Sequence, residues 1–462
     1  MYCLLAGVSM MWALIGWQSF LVYAQIMGCY LMMKVMPATR QQLPVFFFAL
    51  GYMLALYVYR LTLPFGDLCY DATYPLMITT QKLTTLAFSI SDWRLIQKKG
   101  DRMDSERLKW AVREVPSLLE FLSFTLSYQG VLAGPFCHLR MYKAFIEGTH
   151  RDHSKEDNKI AVDFLDDTGS CVATVIKKVL AVFFWMAVSM LAKPYFPDEK
   201  NVDPEFMANN TMLTRVGYLY VSLFLHRAKY YVTWGLAEIV YNASGMGYNG
   251  RDKDGRHDWT GMCNVHVWRI ESATSLKVYL DNWNIMTTHW LRHVCYTRVP
   301  FQRTMLTFVL SALWHGLFVG YYLTFVSASI FVEAGRKIRS SVRPKFQTSS
   351  LLRSVYEVIT FVGTQLSLAF LVLSFVILHW EPCIKFHSSF YWFFHIACVV
   401  ILLVLPARKS SRLQQQQQQQ QQQNNNMQQA VNNHQDLKEG EEISPDGESR
   451  PRKREVMHVQ KS

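Results

Sequence analysis

The chain lacks any Cys-x-x-Cys pair and any zinc-type spacing of Cys and His; its nine cysteines are scattered. An odd count without a framework argues against a disulfide-stapled scaffold, so the thiols read as small apolar packing residues. No separable signal peptide is expected from the reading of this opening. The chain starts directly in an apolar stretch, Tyr2 to Met33, interrupted by Trp17, Gln18 and Ser19. An opening inside hydrophobic sequence is expected of a chain whose first helix has been shortened or lost. No internal repeat is visible, which weighs against the repeated architecture of many transporters. Acidic residues are outnumbered, 35 Asp and Glu against 47 Lys and Arg, for a net charge of +12. Nucleic-acid binding is one reading of that excess. The basic residues lie between apolar runs and not on one polar domain, which fits the cytosolic loops of a membrane protein better.

Half of the residues are hydrophobic, a fraction a soluble chain can also reach, so their distribution decides. Crossing a hydrocarbon core of roughly 30 Å takes about 20 apolar residues as helix. Runs near that length are Leu4–Met36 (one tilted span or a hairpin), Pro44–Leu61 ended by Pro64 and Gly66, and Cys171–Leu191 closed by Lys193, Pro194 and Pro197. Three more follow: Thr307–Ala334, interrupted by Trp314-His315-Gly316, then Val355–Leu378 and Phe390–Leu405. The chain is therefore expected to be an all-α, polytopic integral membrane protein. Tyr74–Ser91 carries Gln81 and Lys82 and is expected to be buried or to face a cavity. Leu118–Leu132, stopped by Gly134-Pro135, has the length of a partial helix, and Met212–Leu225 leads into His226–Tyr231, too charged for lipid contact. The segments 97–114, 147–167 and 201–210 read as loops, and 242–268, rich in Gly, Asn and Asp, as a structured polar loop. Ser272–Tyr296 reads as a single amphipathic helix, with Leu276, Tyr279, Leu280, Trp283, Met286, Trp290 and Leu291 near helical spacing. Arg408, Lys409 and Arg412 just past the last run predict a cytosolic end there. The Gln and Asn tract that follows cannot bury apolar area, so the organisation expected is a membrane domain over 1–407 and a disordered tail over 408–462.

Chemistry is carried first by His315, an imidazole inside an apolar helix: Leu310-Ser311-Ala312-Leu313-Trp314-His315-Gly316. An ionisable group at bilayer depth is costly and by default a functional hypothesis; the alternative is a histidine bonded to a neighbouring helix. Desolvation disfavours imidazolium, so a buried ring there is expected neutral and able to accept a proton. Asn284, in Asp281-Asn282-Trp283-Asn284, is no base, but its amide can donate to a developing oxyanion or hold a substrate. Taken alone it reads equally as a water-facing helix residue. His289 and His293 share a helix face at zinc-compatible spacing, with Cys295 nearby, but no Glu follows the first and no third ligand is apparent, so no metal is expected. Asn209 and Asn242 open glycosylation sequons, a motif frequent by chance.

Taken together, Asp281-Asn282-Trp283-Asn284, Trp290-Leu291, and Leu310 to Gly316 followed by Gly320-Tyr321-Tyr322 resemble the membrane-bound O-acyltransferase family. The resemblance extends over nearly the whole chain up to Pro406. The family's paired active-site residues, an Asn after Trp and a His before Gly, fall on Asn284 and His315. Thr79 to Phe88, Leu132-Ala133-Gly134-Pro135, Phe145-Ile146-Glu147-Gly148, Lys229-Tyr230-Tyr231 with Trp234, and Asn242-Ala243-Ser244-Gly245 look like the lysophospholipid acyltransferase branch. Relatives carry a further hydrophobic segment upstream of the position where this chain begins.

The resemblance implies a multi-pass helical fold around a central cavity, in the endoplasmic reticulum membrane. It implies transfer of a fatty acyl chain, often oleoyl, from acyl-CoA to a lysophospholipid such as lysophosphatidylethanolamine or lysophosphatidylserine, without an acyl-enzyme. Acyl-CoA is then a co-substrate, and no cofactor is needed. Trp283, Trp314, Gln81, Lys82, Arg227, Lys229 and Arg292 are expected to line the substrate paths, the last three beside CoA phosphates or the lipid head group. Interfacial snorkelling explains each basic side chain as well. A protein or sterol acceptor, or a membrane transporter with His315 and Lys82 along a permeation path, are the competing readings.

Overall fold

Length and apolarity sort the helices of this chain. A computed structural model describes residues 1–62, 71–99, 105–132, 134–149, 169–251 and 254–406. The stop at Pro64 and Gly66, most of the loop over 147–167 and the tail over 408–462 lie outside them. Among the described residues four helices are long and apolar enough to cross a membrane: Tyr2–Val35, Gln42–Leu61, Cys171–Tyr195 and Ser350–Ile377. A bent pair, Trp380–Ser389 and Phe393–Val404, meets at 71° and makes a fifth if it is one broken span. The protein is thus a multi-pass helical membrane protein. Its only β-pairing among the described residues is two isolated bridges, Arg251 with His257 and Val265 with Trp283.

The first span is interrupted, not a hairpin. Helices α1 (Tyr2–Ile15) and α2 (Ser19–Val35) flank a tight turn whose Gly16 sits at φ 53°. Helix α3 (Gln42–Leu61) follows, and α4 (Thr73–Lys99) is the inner helix, buried continuously from Thr79 to Asp92. That burial meets the expectation for the segment with Gln81 and Lys82, and several of its polar groups find partners, while Gln81 Oε1, Thr85 Oγ1 and Ser91 Oγ do not among the described residues. Gln25 of α2 donates to Ala49 O and Thr80 Oγ1 and accepts from Thr79 Oγ1. Burying a polar helix costs less where such groups are satisfied internally.

Shorter helices cover this core: α5 (Ser105–Trp110), α6 (Leu118–Thr125), α7 (Leu139–Ile146). The apolar stretch from Leu118 is only a partial helix, started by a capping box of Ser117 and Glu120. Helix α8 (Gly169–Ala187) runs on through a π-turn and packs along α10 (Met212–Ala243), with α9 (Pro204–Asn209) between them in sequence.

Several expectations need correction, for α5 and α9 stand within the stretches 97–114 and 201–210 that read as loops. The stretch over 272–296 is not one helix but α12 (Leu276–Asn282), α13 (Ile285–Leu291) and a π-turn (Arg292–Tyr296), after a short α11 (Val267–Glu271). The break falls at Trp283 and Asn284 because the backbone on either side of them, at Asn282 O and Ile285 N, bonds to His266 and Asn264, a pull no helical periodicity records. Nor is 307–334 a single interrupted span. Helices α14 (Arg303–His315) and α15 (Val319–Ser341) are separate, since Gly316 at φ 136° ends the first. Helices α16 (Ser350–Ile377), α17 (Trp380–Ser389) and α18 (Phe393–Val404) complete the unit over Met1–Pro406.

Candidate active site

His315 is the last residue of α14, and its neighbour Trp314 holds that helix end in place. The Trp314 indole donates to Met77 O of α4 at 3.0 Å, and its carbonyl accepts from Tyr57 OH of α3 at 3.1 Å. The His315 ring is then enclosed by aromatics. Phe325 stacks on it at 5.2 Å between centroids, Phe375 meets it edge-on at 4.9 Å, and Tyr321 lies at 5.7 Å. Among the described residues neither imidazole nitrogen hydrogen-bonds to the protein, so the ring is not a packing histidine tied to a neighbouring helix. The residue is partly exposed.

Asn284 stands at the break before α13, in the left-handed region at φ 48° and ψ 53°. Asn adopts that conformation more readily than most residues. The break is held by 264–266, part of the loop expected to be structured. His266 N donates to Asn282 O at 3.1 Å and Ile285 N to Asn264 O at 3.0 Å. The Asn264 side chain adds two contacts: Met286 N donates to its Oδ1 at 3.0 Å, and its Nδ2 donates to Asn284 Oδ1 at 3.2 Å. The loop is closed further back by Asp258, which accepts from Thr260 N and Oγ1 and Asn249 Nδ2. Partial burial pushes the Asp258 carboxyl up, but the bonds from Thr260 and Asn249 prevail and hold it below the usual carboxylate range.

Helix α13, which Asn284 opens, packs against α14, which His315 closes. Trp290 of α13 lies 5.9 Å from Trp314, and its indole donates to Thr84 Oγ1 of α4 at 2.9 Å, so both helices are referenced to the same inner helix. Tyr230 of α10 packs on Trp283 at 5.4 Å. Trp283 is also packed by Trp234 at 5.0 Å and Tyr279 at 5.6 Å.

The remaining expected site residues divide. Gln81 donates to Thr287 Oγ1 at 2.9 Å and joins α4 to α13. Lys82 is fully buried, and its ammonium bonds Phe124 O, Thr125 O and Ser127 Oγ at the end of α6. Arg227 is equally committed, to Glu271: Nε to Oε1 at 2.9 Å and Nη2 to Oε2 at 2.7 Å. Lys229, by contrast, is exposed, lies over the Tyr230 ring at 5.3 Å, and has no carboxylate partner among the described residues. Arg292 is exposed at the start of the π-turn. His289 is exposed, whereas His293 is buried near Ser89 and Arg298; no cluster of three His, Cys, Asp or Glu among the described residues is placed to hold a metal. Asn242 is fully buried, which closes its sequon; Asn209 is exposed. Sequence reasoning missed Asn264, whose partners are about twenty residues away, and Phe375, which only the packing of α16 brings to His315.

The helix that Asn284 opens packs against the helix that His315 closes, and an imidazole and an amide are chemically suited to proton transfer and oxyanion stabilisation. Residues 65–373 match the membrane-bound O-acyltransferase family. Membrane-bound glycerophospholipid O-acyltransferase 1 of Mus musculus is 38% identical over 385 residues, covering 82% of this chain and 78% of that protein. Membrane-bound glycerophospholipid O-acyltransferase 2 of Homo sapiens is also 38% identical, over 82% of this chain and 74% of its own length. Lysophospholipid acyltransferase 6 of Drosophila melanogaster is 34% identical over 80% of this chain and 51% of its own. The chain therefore belongs to the membrane-bound O-acyltransferase family and is an O-acyltransferase of a multi-pass helical kind.

Proposed function

We propose that the protein transfers a fatty acyl chain, oleoyl by preference, from acyl-CoA to the free sn-2 hydroxyl of a lysophospholipid, lysophosphatidylethanolamine or lysophosphatidylserine, in the endoplasmic reticulum membrane. The observation that carries this is His315: a partly exposed imidazole with no hydrogen bond to the protein among the described residues, and with aromatic walls. Relatives named for lysophospholipid and glycerophospholipid substrates support the acceptor class.

The reaction needs no covalent intermediate. A ring nitrogen of His315 takes the proton of the lysolipid hydroxyl as its oxygen attacks the thioester carbonyl carbon. Asn284 donates to the tetrahedral oxyanion. Collapse breaks the carbon–sulfur bond, and the CoA thiolate leaves with the proton held on His315, so ester and free thiol are the products. Lys229, without a carboxylate partner, supplies a positive charge for a lipid or CoA phosphate. Enclosure by Phe325, Phe375 and Tyr321 limits hydrolysis of the thioester.

The test is transfer by purified protein across a panel of lysolipids with oleoyl-CoA. General base catalysis typically contributes about 10²–10⁴-fold, so His315→Ala should lose turnover by that order. Asn284→Gly keeps the left-handed backbone while removing the amide and should lose about 10²–10³-fold. Wild-type turnover by normally folded His315→Ala protein discards the assignment.

A further inference from the structure

We infer that Asn264 is a positioning residue for the acyl transfer: it decides which end of the Asn284 amide faces the reacting atoms. The inference rests on the reading of Asn284 as an oxyanion donor.

An amide side chain has a donor end and an acceptor end of nearly the same shape, and only its hydrogen-bond network tells them apart. Here the network begins at a group with no choice. The backbone N–H of Met286 can only donate, and it points at the Asn264 side chain at 3.0 Å, so the Asn264 oxygen must face it. The other end of Asn264 is therefore its NH2, a donor, and it lies 3.2 Å from Asn284. Asn284 must answer with its oxygen. Its own NH2 is left as the outward end, and among the described residues that nitrogen takes no protein partner. The polarity Asn284 presents is thus dictated by a backbone N–H two residues on, relayed through a side chain twenty residues upstream.

The relay is rigid. Asn264 is 2% exposed, its carbonyl accepts from Ile285 N at 3.0 Å, and the next residue, Val265, bridges to Trp283. Turned the other way, Asn284 would offer an oxygen to the oxyanion, repelling the charge it is there to stabilise.

Asn264→Asp tests this with almost no change of shape. One carboxylate oxygen still accepts from Met286 N, but the second is an acceptor where an NH2 stood. The Asn284 amide must turn its NH2 toward Asp and its oxygen outward. Turnover should fall about 10²–10³-fold, to the level of Asn284→Gly, with KM for acyl-CoA and the melting temperature close to wild type. The loss should shrink as pH falls, because a protonated carboxyl donates to Asn284 Oδ1 as the amide did. A second variant, Asn264→Asp/Asn284→Gly, should be no worse than Asn284→Gly alone, since the relay has nothing left to orient. Wild-type turnover of Asn264→Asp at the alkaline end of the assay, beside an impaired Asn284→Gly, overturns the inference and leaves the Asn284 reading standing. Additive losses in the double variant overturn it too, by showing a structural role independent of Asn284. If Asn284→Gly itself turns over at the wild-type rate, the reading of Asn284 fails, and the relay with it.

Discussion

Replacing Arg227 by Met is expected to destabilise the protein without weakening its hold on acyl-CoA. The guanidinium is 3% exposed and the Glu271 carboxylate 14%, so both charges are largely out of water. They meet through two bonds of 2.9 and 2.7 Å, and Tyr231 OH donates to the same carboxylate at 2.5 Å. Removing one partner of a buried pair costs about 3–5 kcal/mol, because the other charge is left uncompensated. The bond from Tyr231 remains, which puts the expectation near the lower end, about 3 kcal/mol. Met keeps much of the apolar stem, so the loss reports the charge and not a cavity. The assay is thermal unfolding in detergent, beside the KM for acyl-CoA of the surviving folded protein. Arg227→Met/Glu271→Gln should recover part of the loss, since no orphan charge remains. An unchanged melting temperature with a KM for acyl-CoA raised tenfold or more would refute the reasoning and make Arg227 a ligand of the co-substrate.

Lys82→Met should lower the melting temperature, since the carbonyls of Phe124 and Thr125 and the Ser127 hydroxyl lose a buried cation; the expected loss is about 2–4 kcal/mol, and a variant as stable as wild type would contradict it. Gly320→Ala would set a Cβ 2.1 Å from Ser374 O and 2.7 Å from Leu378 Cα, both backbone atoms that cannot swing aside. The strain, on the order of 1–3 kcal/mol, should part α15 from α16 and loosen Tyr321 and Phe375 around His315. Melting temperature and turnover should fall together, and wild-type values for both would show that the helices yield without cost.

Local chemistry was legible in the chain itself. Apolar runs near bilayer length picked out four of the spans, because crossing hydrocarbon is a demand each segment meets alone, whereas the run over 307–334 folds as two separate helices. A histidine inside an apolar run made His315 a candidate, because an ionisable group there needs a reason. The resemblance carried by the Trp-Asn and Trp-His-Gly pattern proposes Asn284 as its partner. What only the tertiary structure decided was which polar groups are already used. Lys82, Arg227 and Lys229 look alike as basic residues in or beside apolar sequence, yet the first two are committed to α6 and Glu271, while Lys229 has no carboxylate partner among the described residues. The break at Asn284 was equally hidden: its neighbours keep helical spacing, and the segment at Asn264 that interrupts them acts through hydrogen bonds across about twenty residues. Burial and periodicity are properties of a stretch of chain, whereas the partner that satisfies a buried donor is chosen by the packing of segments far apart in sequence.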